Sequence, residues 1–309
     1  MIYTITLNPA VDRELTVPSI QFDSVLRATA WRVDVGGKGF NVSRILHALG
    51  TNSVALGFAG GRAGELLQDG LHMLSIETDF VWVEGETRTN VSIVAAEQVR
   101  YVKVNEPGPT ITAVAQDALL EKVGRRVAPG DWWVLAGSLP PGVPYTIYAD
   151  LTRLIQSAGA HVILDTSGEA LRYGCAAHPF LVKPNEVEVG QLTGLPVESL
   201  DEVVAAAQAV HGLGVTAVVV SLGKRGALLV DGEQVWQATP PVIQERNPIG
   251  AGDSMVGGLV WALSQGLPLP EAMRWGMACG AATAAREGTA VGDLAQVQAL
   301  VTQVQLRET

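Results

Sequence analysis

The chain has 309 residues, 48% of them hydrophobic and 17% charged, which is enough apolar material for a well-buried core and excludes a disordered chain. Its 31 acidic against 21 basic residues give a formal net charge of −10, so its long-range field repels nucleic acid and anionic membrane, and neither is expected as a partner. An anionic substrate would need a locally positive pocket. The cysteines, Cys175 and Cys279, lie far apart without a CxxC, and the five histidines form no ligand-spaced cluster, which argues against a disulfide framework or a structural metal site.

The amino-terminal run "IYTITL" (residues 2–7) predicts a buried strand, and the chain turns polar at Asn8, too early for a signal peptide. No apolar run approaches the roughly 20 residues of a spanning helix, so a cytoplasmic protein is expected. Further strands are predicted at "WWVLAG", "HVILDT", "PFLVKP" and "AVVVSLG", with helices at Asn41–Leu49, Ala113–Val127, Tyr145–Ala158, Leu200–His211 and Glu271–Arg286. This alternation predicts an α/β fold, a doubly wound and mostly parallel sheet with helices on both faces. In such sheets the ligand crevice lies outside the carboxyl ends of the strands. Two segments break the alternation, Val11–Val35 and Arg88–Val104 ("RTNVSIVAAEQVRYVKV"), the second reading as two strands joined around Glu97-Gln98. They are expected to pair as a small β-sheet lid, inserted at about 11–35 and 88–104 in a single domain spanning 1–309.

Four glycine-rich or polar stretches carry the candidate chemistry. In "DVGGKGFNVSRILHALG" (34–50) Lys38 is followed by Gly39, so the GxxxxGK[ST] order of a P-loop is absent. The glycines allow a polar ligand to approach the backbone, with Lys38 and Asn41 facing hydroxyls or phosphate; alternatively this is a tight turn with Asn41 as N-cap. In "LVKPNEVEVGQL", Asn185 and Glu188 share a helix face and could hold a hydrated cation, or they form a capping box. Ser221, Gly223 and Gly226 of "VVVSLGKRGALLV" offer a close-approach loop. "GLGVTA" (212–217) follows a helix and precedes a strand, the reverse of a dinucleotide fingerprint, and is expected to be a helix end and turn. Finally "RNPIGAGDSMVGGLVWAL" (246–263) runs two glycines and Asp253 into an apolar helix whose first amides have no internal partner and face the positive end of the dipole. Asp253 there is either a general base beside an anion site or an ordinary first-turn acid.

Together, "GGKGFN", "KPNEVE", "SLGKRGA" and "GAGDSMVGG", in that order, resemble the ribokinase/PfkB carbohydrate kinase family over essentially the whole chain. "TLNPAVD", "TRTNVSI", "AGSLPPG" and "LDTSGEAL" are similar to its phosphosugar branch, which holds 1-phosphofructokinase, tagatose-6-phosphate kinase and the minor 6-phosphofructokinase. The resemblance implies a ribokinase-like fold and an ATP- and Mg²⁺-dependent kinase acting on a ketohexose phosphate, either fructose 1-phosphate or tagatose 6-phosphate. It implies Asp253 as catalytic base, with the amides of Gly250, Ala251 and Gly252 as anion hole. Asp12, Gly37, Lys38 and Asn41 match sugar-binding positions, with Arg27 and Arg88 as cations for the existing phosphate and Ser138 near it. Lys183, Asn185 and Glu188 match nucleotide positions, the last two reaching Mg²⁺ through water, and Ser221, Gly223 and Gly226 match the nucleotide loop. A homodimer through the lid sheet is also expected.

One departure stands out: Asn247-Pro248-Ile249 replaces the Ser/Thr-Thr-Val usual in this branch, so a threonine hydroxyl and a backbone donor are missing at the nucleotide's edge. Arg286 of "ATAAREG" falls near the expected adenine pocket, where a smaller polar residue would be usual. The competing readings are a 6-phosphofructokinase of the minor type, a kinase of an unphosphorylated sugar or nucleoside, and a sugar-phosphate sensor without catalysis. A nicotinamide oxidoreductase is disfavoured, since no glycine fingerprint follows the first strand.

Overall fold

The strand Trp132–Ala136 shows how the core is divided. Its side chains alternate, Trp133 and Leu135 joining one buried apolar cluster while Val134 and Ala136 join another. Both clusters are rich in fully buried Leu, Ile and Val, each contributing about 1.5–3 kcal/mol by burial. A strand apolar on both faces needs a helical layer on each, which is the doubly wound arrangement expected.

The computed structural model describes residues 1–97, 100–286 and 290–309. In chain order the first part forms β1 (Ile2–Thr6), β2 (Ala10–Val17), β3 (Ala30–Gly36), α1 (Lys38–Ala48), β4 (Ser53–Ala59), α2 (Gly61–Met73), β5 (Glu77–Thr78), β6 (Val81–Trp82), β7 (Arg88–Ala95) and β8 (Arg100–Asn105). Then come α3 (Ala113–Arg126), β9 (Trp132–Ala136), α4 (Ile147–Ser157), β10 (His161–Asp165), α5 (Gly168–Cys175), β11 (Leu181–Val182), α6 (Glu186–Thr193) and α7 (Leu200–His211). β12 (Ala217–Ser221), β13 (Ala227–Asp231), β14 (Gln234–Thr239), α8 (Ala251–Ser264), α9 (Leu269–Ala284), α10 (Leu294–Val301) and β15 (Gln305–Glu308) complete it.

Among the described residues the main sheet has eleven strands in the order β15-β14-β13-β12-β11-β10-β9-β1-β4-β5, with β6 also paired to β4. It is parallel from β5 to β12 and antiparallel from β12 to β15. Helices α3, α4, α5 and α7 supply one apolar cluster, and α1, α8, α9 and α10 the other. The chain leaves β1 towards β4 and later returns on β1's other side at β9, so the strand order reverses between β1 and β9. The carboxyl ends there are the expected ligand crevice. No described helix is long and apolar enough to cross a membrane.

β2, β3, β7 and β8 form a separate four-stranded sheet in the order β3-β2-β7-β8, with β2 parallel to β7. The two segments that broke the alternation therefore do pair as one small sheet. It meets the main body through Val11, Phe40, Ala55, Leu67, Leu71 and Phe80. Of the predicted junction Glu97-Gln98, Gln98 lies outside the described residues, as do Glu287 and Gly288 of "ATAAREG".

Several boundaries differ from expectation. The first helix begins at Lys38, with Gly37 (φ 144°) as its N-cap, so Asn41 lies inside the helix and is not its cap. "PFLVKP" yields two strand residues, Leu181–Val182. Gly212 ends α7 as expected and leads into β12.

Candidate active site

The strand register brings the carboxyl ends of β1, β9, β10 and β11 level. Thr6 pairs with Ala136, Ala136 with Asp165, and Leu164 with Val182, which sets Lys183 beside Asp165. Asp165 is buried, and its carboxylate is divided between two ammonium groups: Oδ2 accepts from Lys38 Nζ at 2.9 Å, and Oδ1 lies 3.3 Å from Lys183 Nζ. Burial pushes this carboxyl up, but Lys183 and Lys38 outweigh burial and hold it below the usual carboxylate range. Lys38 enters from the first turn of α1, where its Nζ also stands 3.5 Å from Asp253 Oδ1. Burial disfavours its charge, yet Asp165 and Asp253 win, so the ammonium is held more firmly than in water.

α8 supplies the opposite wall. Gly250 is its N-cap in the left-handed conformation (φ 81°), and no side chain caps the helix. Asp253 is 8% exposed and turns away from its own helix end: Asn41 Nδ2 donates to its Oδ2 at 2.8 Å. Burial raises the Asp253 carboxyl, Asp165 adds to the rise, and Lys38, Asn41 and Lys183 offset it in part. The close approach of α1 depends on Gly257, where a Cβ would lie 2.5 Å from Ile45 Cγ2. Among the described residues the N–H groups of Gly250, Gly252 and Asp253 carry no hydrogen bond, whereas Ala251 N–H donates to Pro248 O at 3.2 Å. Of the three amides expected to form an anion hole, that of Ala251 closes a turn. Lys183 Nζ lies near this helix end, 3.8 Å from where a Gly252 Cβ would stand.

On the small sheet, Asp12 Oδ1 accepts from Asn90 Nδ2 at 2.9 Å across the β2–β7 register, while Oδ2 lies over Gly36, where a Cβ would come within 2.2 Å. Arg88 Nη2 donates to Asn8 O at 2.9 Å and Nη1 to Glu106 O at 3.2 Å; its Nε is buried without a partner. Arg27 stands on the exposed β2–β3 connection and Ser138 is exposed after β9, and neither makes a hydrogen bond or ion pair among the described residues. Arg27 therefore lies on no strand of the small sheet, and the structure does not bring it to the Lys38–Asp253 cluster.

Beside α8 a cavity of about 1310 Å³ is lined by Ser221, Gly223, Gly226, Pro248, Ala251 and Gly252, among others. The expected nucleotide loop and the glycine turn before Asp253 thus face one cavity. Ala281 and Ala284 line it too, but Arg286 turns aside to Asp293 and Gln296. Asn185 and Glu188 form a capping box, each backbone N–H donating to the other's side chain at 2.8 Å. This does not remove them as holders of a hydrated cation. Only Oε2 of Glu188 is engaged, and Mg²⁺ commonly keeps its waters between itself and carboxylates.

Sequence reading had no role for Asp165, Asn90 or Asn8. A carboxylate ending a buried strand and a carboxamide buried inside one were the available signals, but only the sheet order reveals their partners.

The comparisons with known proteins agree with this arrangement. The pfkB family carbohydrate kinase model matches residues 3–295. The chain is similar to 1-phosphofructokinase of Bacillus subtilis (strain 168), 39% identical over 287 residues covering 93% of each chain. It is similar to D-tagatose-1-phosphate kinase of Bacillus licheniformis, 34% identical over 307 residues covering 99% of each. Among solved structures, phosphofructokinase-2 from Escherichia coli in complex with potassium matches with a TM-score of 0.93 at 35% identity, over 97% of this chain and 98% of that one.

Proposed function

The chain belongs to the pfkB family of carbohydrate kinases, and we propose that this sugar-phosphate kinase transfers the γ-phosphoryl group of ATP to the 6-hydroxyl of a ketohexose 1-phosphate. Fructose 1-phosphate would give fructose 1,6-bisphosphate and ADP. The observation that carries this reading is Asp253, buried in the first turn of α8 beside amides without partners and bonded to Asn41.

In this reaction Asp253 accepts the proton of the sugar hydroxyl as its oxygen attacks the γ-phosphorus, and the bond to the β–γ bridging oxygen breaks to release ADP. Burial raises its carboxyl, which makes it a better base than a solvated carboxylate. Charge on the transferring phosphoryl oxygens is met by the amides of Gly250, Gly252 and Asp253 and by Lys38 and Lys183. Asp12, Gly37, Lys38 and Asn41 hold the sugar, Arg88 takes its existing phosphate, and Arg27 and Ser138 complete that phosphate site. Ser221, Gly223 and Gly226 line the nucleotide's place. Mg²⁺, held through water by Glu188 and Asn185, would neutralise charge on the ATP phosphates. The small sheet acts as a lid over one catalytic domain and excludes water as a competing acceptor. Its exposed Trp31, Tyr101 and Val104 support a homodimer formed through this sheet.

The relative that is a D-tagatose-1-phosphate kinase favours tagatose 1-phosphate as a second acceptor. ADP release with ATP and Mg²⁺ should be measured against fructose 1-phosphate, tagatose 1-phosphate, tagatose 6-phosphate, fructose 6-phosphate, ribose and adenosine. A ketohexose 1-phosphate should have the highest kcat/KM. Preference for ribose or adenosine would sink the reading, and sugar-phosphate binding without ADP formation would favour a sensor.

A further inference from the structure

We propose that Asp165 is a positioning residue that draws Lys38 away from Asp253 and so leaves the Asp253 carboxylate free to accept a proton. The inference rests on the reading of Asp253 as the base. Three observations carry it. Lys38 is closer to Asp165 (2.9 Å) than to Asp253 (3.5 Å), so its ammonium is shared unequally between two carboxylates. Asp165 is buried at the end of β10, where solvent cannot substitute for it. Its other oxygen faces Lys183, so one anion keeps two cations apart beside the helix end where the phosphoryl group is transferred.

The charged groups facing Asp253 are Lys38 from α1, Asp165 from β10 and Lys183 after β11, with Asn41 as a neutral donor. Glu188 acts on Lys38 through space. With the Asp165 charge removed, Asp253 is the carboxylate left at contact distance from Lys38, and the two should close into a tight ion pair. That pair stabilises ionised Asp253 and weakens it as a base, and the loss of Asp165's own field acts in the same direction. Lys183→Met has the opposite sign: it removes a cation facing Asp253 and leaves Asp165 wholly to Lys38.

The test is a pH titration of the Asp253 carboxyl by ¹³C NMR in the free protein, its resonance assigned by loss in Asp253→Asn, together with the acid limb of kcat. In Asp165→Asn both midpoints should fall by about one pH unit or more, with kcat at neutral pH down ~10-fold. In Lys183→Met the NMR midpoint should rise. A purely structural Asp165 would lower the folded fraction and leave both midpoints in place. Unshifted or raised midpoints in folded Asp165→Asn overturn the proposal; if that variant does not fold, an unshifted or lowered midpoint in Lys183→Met does so. The predicted NMR shifts in the two variants, together with a wild-type protein that turns over no sugar phosphate, would refute the proposed function while upholding the effect of Asp165 on Asp253.

Discussion

Asn41 donates to Asp253 across the contact between α1 and α8, Nδ2 to Oδ2 at 2.8 Å, so two residues 212 apart in sequence share one polar contact in a buried place. A first-turn acid that only stabilised its own helix would have no need of a partner on another helix. Because burial raises the Asp253 carboxyl, its contribution to stability is full below the unfolded pKa, near 4, and is lost as pH rises through the folded value. At neutral pH this carboxyl therefore weighs against folding. Asp253→Asn should lose ~10²-fold or more in kcat, while its urea midpoint at pH 7 stays equal to or above wild type. A variant with unchanged turnover would rule out the base.

Asp165 has the opposite sign. Its carboxyl is held low by Lys183 and Lys38, so it stabilises the fold above about pH 4 and loses that contribution as pH falls through its folded value. Lys183 is only 5% exposed, and removing its counter-charge leaves a buried cation unpaired. Asp165→Ala should destabilise by ~3–5 kcal/mol at pH 7, and the difference from wild type should shrink in strong acid. Urea unfolding at pH 7 and at pH 3 checks both statements.

That contrast explains what sequence could and could not disclose. Asp253 sits among glycines in a pattern with a mechanical meaning, and Leu200–His211 has caps that fix its ends, so both were legible. Asp165 ends an ordinary buried strand and gains its role only because β10 lies between β9 and β11. Strand Ser53–Ala59 and the β13–β14 hairpin went unpredicted: the first is short and holds a glycine and small residues, and the second is an antiparallel hairpin with no crossover helix to mark it. Asn41 was misread as a possible cap because nothing local distinguishes it from a residue whose partner lies on α8. Arg27 falls inside the segment expected to form small-sheet strands, yet β2 ends at Val17 and β3 begins at Ala30, which leaves it on their connection.

Arg88 distinguishes a phosphosugar enzyme from one acting on a neutral sugar. Two of its N–H groups are held by Asn8 O and Glu106 O, which fixes the guanidinium at the junction of the small and main sheets. Arg88→Ala should raise the KM for the sugar phosphate by the equivalent of ~1.5–3 kcal/mol, the worth of a charge-assisted hydrogen bond. The KM for ATP should barely move. Steady-state kinetics with each substrate varied in turn would show it, and an unchanged sugar KM would place the phosphate elsewhere.

Pro248 lines the large cavity and accepts from Ala251 N–H, so its carbonyl serves the turn while its nitrogen can donate nothing. Pro248→Thr keeps that carbonyl and restores the hydroxyl and N–H that the resemblance assigns to the nucleotide's edge. One regained hydrogen bond of ~1 kcal/mol corresponds to a KM for ATP about 5-fold lower. The unfolded chain gains freedom, so stability should drop by ~0.4–1 kcal/mol. ATP saturation curves and urea midpoints would measure the two effects, and an unchanged KM would mean that the nucleotide does not touch this position.

Gly257 tests whether the site depends on helix packing remote from any substrate. A Cβ at this position would stand 2.5 Å from Ile45 Cγ2 and 2.8 Å from Ile45 Cβ, distances that a buried, β-branched side chain cannot relieve by rotating its far end. Gly257→Ala must therefore push α1 and α8 apart, at a cost of ~1–3 kcal/mol in stability. The same displacement would stretch Asn41 away from Asp253 and Lys38 from both of its carboxylates. Since ~1 Å of misplacement can cost 10²-fold, kcat should fall far more than the KM for ATP, whose proposed cavity is lined by Ala251 and Gly252 and not by Asn41 or Lys38. Ile45→Gly in the same chain, which removes both Cγ2 and Cβ, should recover activity by making room for the added methyl, and no recovery would separate the loss of activity from this contact.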